Sequence, residues 1–238
     1  EITLLGQTVN SDRDPEGALR ADADESEFAS LLRRIAERVP ALSRLRYTSP
    51  HPRHLGPALV AAHRDLGVLA RHVHLPVQSG SDRVLKRMIR RTTRENYVAR
   101  VSTLRAAVPG ITLSTDVIVG FPGETEEDFQ ATLSLVEEVG FVGVFGFKYS
   151  RRPGTPALRL GDDVSESEKS GRLARLFEIS ERLVGAHLAS MVGSTQRVLV
   201  EGARAKSGDR PEGWSGRTEG NAIVHLRDPA AAGLVGEI

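Results

Sequence analysis

Short apolar runs alternate with amphipathic stretches over the first 190 residues or so, and this alternation restricts the fold more than any other feature. The apolar runs have the length of strands and cover residues 2–9, 45–48, 72–77, 112–119 and 142–149. Alternating strands and helices are typical of parallel βαβ units, because a parallel neighbour requires a long crossover. We therefore predict an α/β fold, either part of a β/α barrel or a doubly wound open sheet.

The stretches between these runs have the spacing of helices. Apolar residues recur every three or four positions over residues 25–39, 57–66, 94–108 and 126–139, and a longer helix is predicted from 166 to about 189. Thr125 with Asp128, and Ser165 with Glu168, have the spacing of capping boxes at two of the predicted helix starts.

The pattern changes after residue 189. The alternating segment TQRVLVE at 195–201 is followed by a loop rich in Gly, Asp and Pro at 202–213 and by AIVHL at 222–226. Short strands with turns and no helix between them indicate a small all-β module. We predict two domains, residues 1–189 and residues 190–238, the second a small barrel that is completed beyond Ile238.

The chain has no cysteine, which excludes disulfides, thiolate metal ligands and a cysteine nucleophile within it. The four histidines at 51, 54, 72 and 74 have no carboxylate at ligand spacing among them, so no metal site is expected. A hydrolase triad has no supporting nucleophile elbow.

The ends of the chain and its hydropathy bear on its context. It opens on Glu1 directly before an apolar run and stops in a strand-like run, so we expect a piece of a longer protein. No apolar run approaches the roughly 20 residues of a membrane span, and no secretory signal opens the chain. We expect a cytoplasmic protein with no membrane partner, and a monomer.

Charge is unevenly distributed although the net charge is only +1. Residues 71–105 contain nine Lys or Arg against two acidic residues, whereas 116–140 contain seven acidic residues and no basic one. This distribution fits either a polyanionic partner on one face or two solvated helix faces of opposite sign.

Polar residues gather where four of the predicted strands end, as in LLGQTVN, HLPVQSGSD, STDVIVGFPGET and FGFKYSRRPGT. Ligands of a β/α barrel bind at the carboxyl ends of its strands, so these segments predict an active site. Turn formation and helix capping are the alternative explanation for each segment alone. The GFPGET turn allows close backbone approach, but its carboxylates argue against a phosphate there.

These segments resemble the radical-SAM tRNA methylthiotransferase family. The match covers LLGQTVNSD with Thr8 and Asp12 as departures, and it continues in order and spacing through RYTSPHP (46–52), residues 74–97, 115–129 and 149–157. The segments VLVEG and SGRTEGN resemble that family's TRAM domain, a small β-barrel that binds tRNA. The LLGQ and TSPHP variants resemble the MiaB-like branch, which modifies adenosine-37 next to the anticodon.

The resemblance implies a partial radical-SAM barrel followed by a TRAM barrel. It implies an enzyme that inserts a methylthio group at C2 of N6-isopentenyladenosine in tRNA, with S-adenosyl-L-methionine (SAM), two 4Fe-4S clusters and an electron donor. The cluster cysteines of the family would precede Glu1, so this chain alone is expected to ligate no cluster and to be inactive.

The resemblance and the strand-end positions together give the candidate residues. Those for the cofactor are Gln7, Ser49, Gln78, Ser79, Asp116, Gly120, Lys148 and Arg152, of which the last two are candidates for substrate as well. The candidates for binding the anticodon stem-loop of tRNA are Arg90, Arg91, Lys206, Arg217 and Asn221. A non-catalytic tRNA-binding module and an ordinary metabolic barrel enzyme are the alternative functions.

Overall fold

The computed structural model of the protein describes residues 1–11, 26–161, 163–203 and 213–237. The strands are β1 (Ile2–Leu4), β2 (Leu45–Tyr47), β3 (His72–His74), β4 (Thr112–Val119), β5 (Gly143–Lys148), β6 (Val198–Ala203), β7 (Trp214–Thr218) and β8 (Ile223–Leu226). The α-helices are α1 (Glu27–Arg38), α2 (Pro57–Asp65), α3 (Asp82–Arg87), α4 (Arg94–Ala107), α5 (Glu126–Val139) and α6 (Glu166–Met191). Short 3-10 helices cover Val9–Ser11, Pro52–His54, Pro156–Leu160 and Pro229–Leu234.

The first five strands are parallel. β1 pairs with β2, and β3, β4 and β5 pair in that order. An isolated parallel bridge pairs Leu45 of β2 with Leu69 in the segment just before β3, and Leu45 N donates to Val68 O at 2.8 Å, so β2 and that segment run in the same direction. The carboxyl ends of all five strands therefore lie at one edge. The predicted α/β fold with parallel strands is confirmed.

Capping residues fix where the helices begin. Both predicted capping boxes are present, Thr125 with Asp128 at α5 and Ser165 with Glu168 at α6. The hydroxyl of Thr93 accepts from the backbone at the start of α4. Such caps satisfy backbone N–H groups that the first helical turn leaves without partners.

The main core lies between the strands and the helices. Alternate residues of β4, namely Leu113, Val117 and Val119, are fully buried against the helix layer. A Cβ at Gly146 would lie 2.7 Å from Leu173 Cδ1, so glycine at this position lets α6 lie directly against β5. Because side chains alternate along a strand, the opposite face of β3–β5 is left for other residues.

The C-terminal segment forms an antiparallel sheet in the order β6-β7-β8. The end of the chain returns to this sheet, where Val200 N donates to Glu237 O at 3.1 Å and Gly236 N donates to Val200 O at 2.8 Å. We call residues 198–203 and 213–237 the β module. Its all-β character was predicted.

The β module is hydrogen-bonded to the amino ends of the parallel strands. Arg44, with a side chain only 2% exposed, donates to the carbonyl of Arg217 at 2.8 Å, and Arg46 donates to that of Thr218 at 3.0 Å. Thr112 at the start of β4 donates to the carbonyl of Gly220 at 2.9 Å. The turn between β7 and β8 thus lies against the start of the parallel sheet.

Two elements were not predicted. α3 has only six residues, too few to show a helical period, and it begins within the segment read as a strand end. β7 has the sequence WSGRT, which lacks the alternation of apolar residues that indicates a strand. The first strand is shorter than predicted, because residues 7–11 form a turn and a 3-10 helix.

Candidate active site

A pocket of about 380 Å³ opens at the carboxyl ends of β3, β4 and β5. We call it the mouth pocket. It brings together five of the predicted residues, and its polar lining includes Gln78, Arg90, Asp116, Lys148 and Arg152. Asp116 and Lys148 belong to β4 and β5, whereas Gln78, Arg90 and Arg152 lie in the segments that follow β3, α3 and β5. Of the four residues expected around a common opening, Gln78, Asp116 and Lys148 line this pocket and Gln7 does not.

Gln78 occupies a strained backbone position beside β4. Its φ is +74°, a region that residues other than glycine rarely adopt. Two hydrogen bonds fix it there, from Gln78 N to Asp116 O at 2.8 Å and from Ile118 N to Gln78 O at 2.9 Å. Strain of this kind concentrates at ligand-binding sites, because the surrounding structure must maintain it.

Asp116 and Arg90 supply opposite charges to the mouth pocket. Asp116 lies within β4 with its carboxylate 3.4 Å from His74 Nε2 and its side chain 27% exposed. Arg90 follows α3, and burial lowers the pKa of its guanidinium while the charge of Asp116 raises it. This edge of the pocket therefore offers both an anionic acceptor and a cationic donor.

Lys148 and Arg152 are two further cations that line the mouth pocket. The Lys148 ammonium pairs with Glu166 at the start of α6 and lies 3.5 Å from Ser170 Oγ. The carbonyl of Arg152 accepts from Thr155 Oγ1 at 2.8 Å, which shapes the loop after β5. One cation is thus already paired within the chain, whereas Arg152 is exposed.

Aromatic rings complete the mouth pocket. Phe121 and Tyr149 make an edge-to-face contact with ring centroids 5.1 Å apart, and Lys169 Nζ lies 5.5 Å from the Tyr149 ring. Phe147 also lines the pocket and is 54% exposed. Exposed rings of this kind offer flat apolar surface to a planar ligand.

The turn after β4 is held by a buried ion pair. Gly120 N donates to Glu124 Oε2 at 2.6 Å, and Arg172 Nη1 donates to the same oxygen at 2.9 Å. Burial raises the pKa of Glu124, against the lowering effect of Gly120 N–H and Arg172. A Cβ at Gly120 would lie 2.3 Å from Lys169 Cγ, so the predicted residue Gly120 packs against α6.

A second set of contacts holds the same turn from α3. Arg83 donates to Gly123 O at 2.5 Å and pairs with Asp128, and Arg87 Nε donates to Pro122 O at 2.9 Å. Burial acts to raise the pKa of Asp128, but hydrogen bonds led by that of Arg83 hold it well below its usual range. Two of the nine basic residues of segment 71–105 therefore hold this turn in place.

The other predicted cofactor residues lie outside the mouth pocket. Gln7 is exposed in the turn after β1, and Ser49, with φ +54°, follows β2. Asn10 links these two loops, since its amide donates to His51 O at 3.0 Å and accepts from His51 N at 2.7 Å. Ser79 is fully buried, and its hydroxyl lies 3.2 Å from Thr132 Oγ1 of α5.

A larger cavity of about 700 Å³ lies behind the mouth pocket, along the inner face of the parallel strands. Asp116 and Phe147 line both spaces, so the two are adjacent. The cavity has an apolar side with Phe145, which is 55% exposed, and a polar side formed by β3 and β4. Sequence reasoning missed this polar side apart from Asp116, although the two-residue spacing of a strand face relates His72 to His74 in β3 and relates Thr112, Ser114 and Asp116 in β4.

The residues predicted to bind RNA that the structure describes lie in two places. Arg90 lines the mouth pocket and Arg91 beside it is exposed. Arg217 and Asn221 line the larger cavity near the amino ends of the strands, with Arg217 Nη1 3.4 Å from Asn221 Oδ1. Lys206 lies outside the described residues. Their contact with RNA stays a prediction.

The described residues contain no cluster of three or more His, Asp or Glu side chains placed to hold a metal ion. Among the helices that the structure describes, none combines the length and apolar character needed to cross a bilayer. Residues 2–136 match the family described as the Radical SAM superfamily, which is more than half of the chain.

The chain belongs to the Radical SAM superfamily. Among solved structures, coproporphyrinogen III oxidase from Escherichia coli, described as a Radical SAM enzyme, is similar with a TM-score of 0.51. It is 20% identical and covers 66% of this chain, which covers 37% of the oxidase. This likeness concerns the fold alone.

Curated relatives are similar to the radical SAM chain over its whole length. The tRNA-2-methylthio-N(6)-dimethylallyladenosine synthase of Sorangium cellulosum is 66% identical over 248 residues, covering 100% of this chain and 50% of the relative. The protein of that name from Geotalea uraniireducens is 45% identical over 238 residues, again 100% of this chain and 51% of the relative. The chain thus spans about half the length of these relatives.

The residues present fit one of the groups that the family implies and not the other. The mouth pocket offers the carboxylate of Asp116, the amide of Gln78, the guanidinium of Arg152 and aromatic rings. That set suits a cofactor with an amino acid end, ribose hydroxyls and a purine, as SAM has. An iron–sulfur cluster does not fit this chain, which has no cysteine to ligate it.

Proposed function

We propose that the protein containing this chain is a radical-SAM methylthiotransferase that inserts a methylthio group at C2 of N6-isopentenyladenosine at position 37 of tRNA. The observation that carries this proposal is the mouth pocket, where Gln78, Asp116, Lys148 and Arg152 meet at the carboxyl ends of parallel strands. The names of the curated relatives point to the same substrate.

The two-part architecture supports a division of labour. Residues 1–189 would be the partial radical-SAM β/α barrel, and residues 190–238 a TRAM domain that binds the anticodon stem-loop. The antiparallel β6-β7-β8 sheet pairs with none of the parallel strands, which agrees with a small β-barrel module. An electron donor, a monomeric state and a cytoplasmic location belong to the same proposal.

SAM, when bound, supplies both the radical that activates C2 and the methyl carbon. In this proposal Asp116 and Gln78 hold polar groups of SAM by hydrogen bonds, while Phe121 and Phe147 shield the pocket from water. Arg152 carries a charge suited to a carboxylate or a phosphate. Gln7, Ser49, Ser79 and Gly120 shape the loops around the opening.

The test uses the full-length gene product with both of its iron–sulfur clusters restored, under anaerobic conditions, with a chemical reductant, SAM and isopentenylated tRNA. Digested tRNA is analysed by mass spectrometry for the 2-methylthio nucleoside. We expect product from the full-length protein and none from the 238-residue chain alone. If the full-length protein cleaves SAM but the tRNA acquires no methylthio group, the proposed substrate is contradicted.

A matched pair of variants sharpens this test. Asp116→Asn removes the negative charge of the Asp116 carboxylate from the mouth pocket. We expect the KM for SAM to rise about tenfold or more, as loss of a charged hydrogen bond implies. Glu137→Gln makes the same kind of change on the exposed side of α5, where Glu137 pairs with Arg182, and should leave the KM unchanged. Equal effects of the two variants would remove Asp116 from the site.

A further inference from the structure

A row of five polar side chains runs along the inner face of β3 and β4, from the β module to the mouth pocket. His72 Nδ1 lies 2.9 Å from Thr112 Oγ1, and His72 Nε2 lies 3.0 Å from Ser114 Oγ. His74 Nδ1 lies 2.9 Å from the same Ser114 oxygen, and its Nε2 lies 3.4 Å from Asp116 Oδ1. The contacts form one continuous chain.

At the end of this row nearest the β module, the contacts of Thr112 indicate which groups donate and which accept. Thr112 Oγ1 lies 2.9 Å from the carbonyl oxygen of Gly220 and 3.1 Å from that of Arg71. A carbonyl oxygen only accepts, so either contact is a hydrogen bond only if Thr112 donates, and we assign its single hydroxyl proton to one of these two oxygens. The Thr112 oxygen is then an acceptor toward His72, and His72 carries its proton on Nδ1.

The direction of hydrogen-bond donation is passed on from Thr112 to Ser114 because His72 is neutral. Burial, followed by the nearby charge of Arg46, lowers the pKa of His72 to about 3. A neutral imidazole has one N–H, so with Nδ1 protonated its Nε2 accepts. Ser114 must therefore donate its proton to His72, and the Ser114 oxygen is left to accept from His74 Nδ1–H.

The chain reaches Asp116 with a conflict that one proton resolves. If His74 were neutral, its Nε2 lone pair would face the Asp116 carboxylate at 3.4 Å. We propose that His74 is protonated on both ring nitrogens and is a positioning residue for Asp116, holding Oδ1 of a carboxylate that lines the mouth pocket. The carbonyl of Gly220, in the β module, thereby sets the protonation of a group at the opening.

The neighbouring charged groups agree with this arrangement. Arg90, after α3, also interacts with Asp116, and both side chains line the mouth pocket. Arg46 of β2, Arg217 of β7 and His187 of α6 act on His72 at the other end of the row and keep it neutral. Phe145 of β5 contacts the His74 ring edge-to-face, with centroids 5.6 Å apart, and fixes its plane.

The same five side chains have one alternative arrangement, in which every proton points the other way. Thr112 would then donate to His72, His72 to Ser114, Ser114 to His74, and neutral His74 to Asp116. This reversed row needs no extra proton, but it leaves the Gly220 and Arg71 carbonyls without the Thr112 hydroxyl. Thr112→Val removes that constraint, so we expect the other four side chains of the variant to adopt the reversed directions, from His72 through to Asp116.

Nitrogen-15 NMR of the histidine rings tests the proposal on this chain, without enzyme activity. We expect both His74 nitrogens at the imidazolium position at neutral pH, and His72 protonated on Nδ1 only. In Thr112→Val we expect a neutral His74 protonated on Nε2. Thr103→Val, which removes an exposed hydroxyl that donates to Ala99 O, should leave both rings unchanged. A neutral His74 in the unsubstituted chain overturns the proposal.

A kinetic arm rests on the proposed function and uses the full-length enzyme. His74→Leu removes the donor to Asp116, and we expect the KM for SAM to rise about tenfold while kcat changes less. His74→Gln restores a neutral donor and should recover most of the loss. If the unsubstituted enzyme makes no product, the proposed function fails while the NMR result stands. If His74→Leu leaves the KM unchanged, His74 does not position Asp116 for the ligand.

Discussion

The two faces of the β3–β4–β5 sheet are built from different residues although they alternate along the same strands. On the helix-covered face, Leu113 and Val117 are fully buried in the main core. On the inner face, Ser114 and Asp116 lie between them in sequence and line the cavities. The first face uses apolar burial and the second uses hydrogen bonds and charge.

This difference separates stability from chemistry within a single strand. Burial of apolar side chains contributes most of the favourable free energy of folding. The exposed rings of Phe145 and Phe147 contribute little of it, yet they occupy the space that a ligand would contact. Substitutions on the helix-covered side should therefore reduce stability, and those on the inner face should mainly change binding.

The buried ion pair of the helix layer should show the largest effect. Arg172→Ala leaves Glu124, whose side chain is 1% exposed, without its cationic partner. We expect a loss of roughly 3–5 kcal/mol in the free energy of unfolding, as removal of one partner of a buried pair implies. Urea unfolding followed by circular dichroism measures it.

Arg182→Ala is the matched control on the same helix. Its pair with Glu137 has side chains 60% and 49% exposed, and such a pair contributes about 0–1 kcal/mol. Equal losses in the two variants would show that burial of the pair does not determine its contribution.

Leu113→Ala and Phe147→Ala compare the two faces directly. Leu113 is fully buried, and its truncation should cost about 3 kcal/mol through lost burial and a cavity. Phe147 loses more atoms but is 54% exposed, so we expect a loss below about 1 kcal/mol. Denaturant midpoints of both variants give the comparison. A larger loss for Phe147→Ala would contradict the assignment of stability to the helix side.

Local periodicity predicted the helix-covered side well. Helices α4, α5 and α6 begin at the predicted residues, because their caps and apolar spacing are local properties of the sequence. The strand over residues 112–119 was likewise predicted with its observed bounds. These elements have patterns that depend on one buried face, which a sequence displays directly.

The inner face was predicted only in part. Asp116 and Gln78 were singled out as polar residues at strand ends, and the structure brings them to one pocket. The row through His72 and Ser114 depends on the register between β3 and β4, which pairs His72 with Thr112. Register between strands 40 residues apart is a tertiary property, so no local pattern could supply it. The contact of Gly220 with Thr112 is more distant still.

Acid should destabilise both sides through buried histidines. On the helix side, burial lowers the pKa of His63 from 6.5 to about 4, and Tyr47 Oη lies 2.6 Å from its Nε2. The unfolded chain takes up a proton that the fold excludes, so stability is complete above pH 6.5 and falls as the pH drops toward 4. The lowered pKa of His63 alone should reduce the free energy of unfolding by about 2 kcal/mol when the pH falls to about 4.5.

Urea unfolding at neutral and acidic pH measures this effect. His63→Gln keeps an acceptor for Tyr47 and should reduce the pH slope by about one proton. His225→Gln, at an exposed position of β8, should leave the slope unchanged. His72 on the inner face, with its pKa lowered to about 3, should contribute in the same window. A flat profile would mean that neither ring is shielded from solvent protons.

The smallest effect on stability is expected at the mouth pocket itself. Lys148 pairs with Glu166, and their side chains are 39% and 68% exposed, so Lys148→Ala should change the free energy of unfolding by less than about 1 kcal/mol. Glu166→Gln should cost slightly more, because Glu166 also lies in the first turn of α6 and favours its positive end. A loss for Lys148→Ala as large as that for Leu113→Ala would mean that the opening contributes to the core. The two faces would then no longer divide stability from binding.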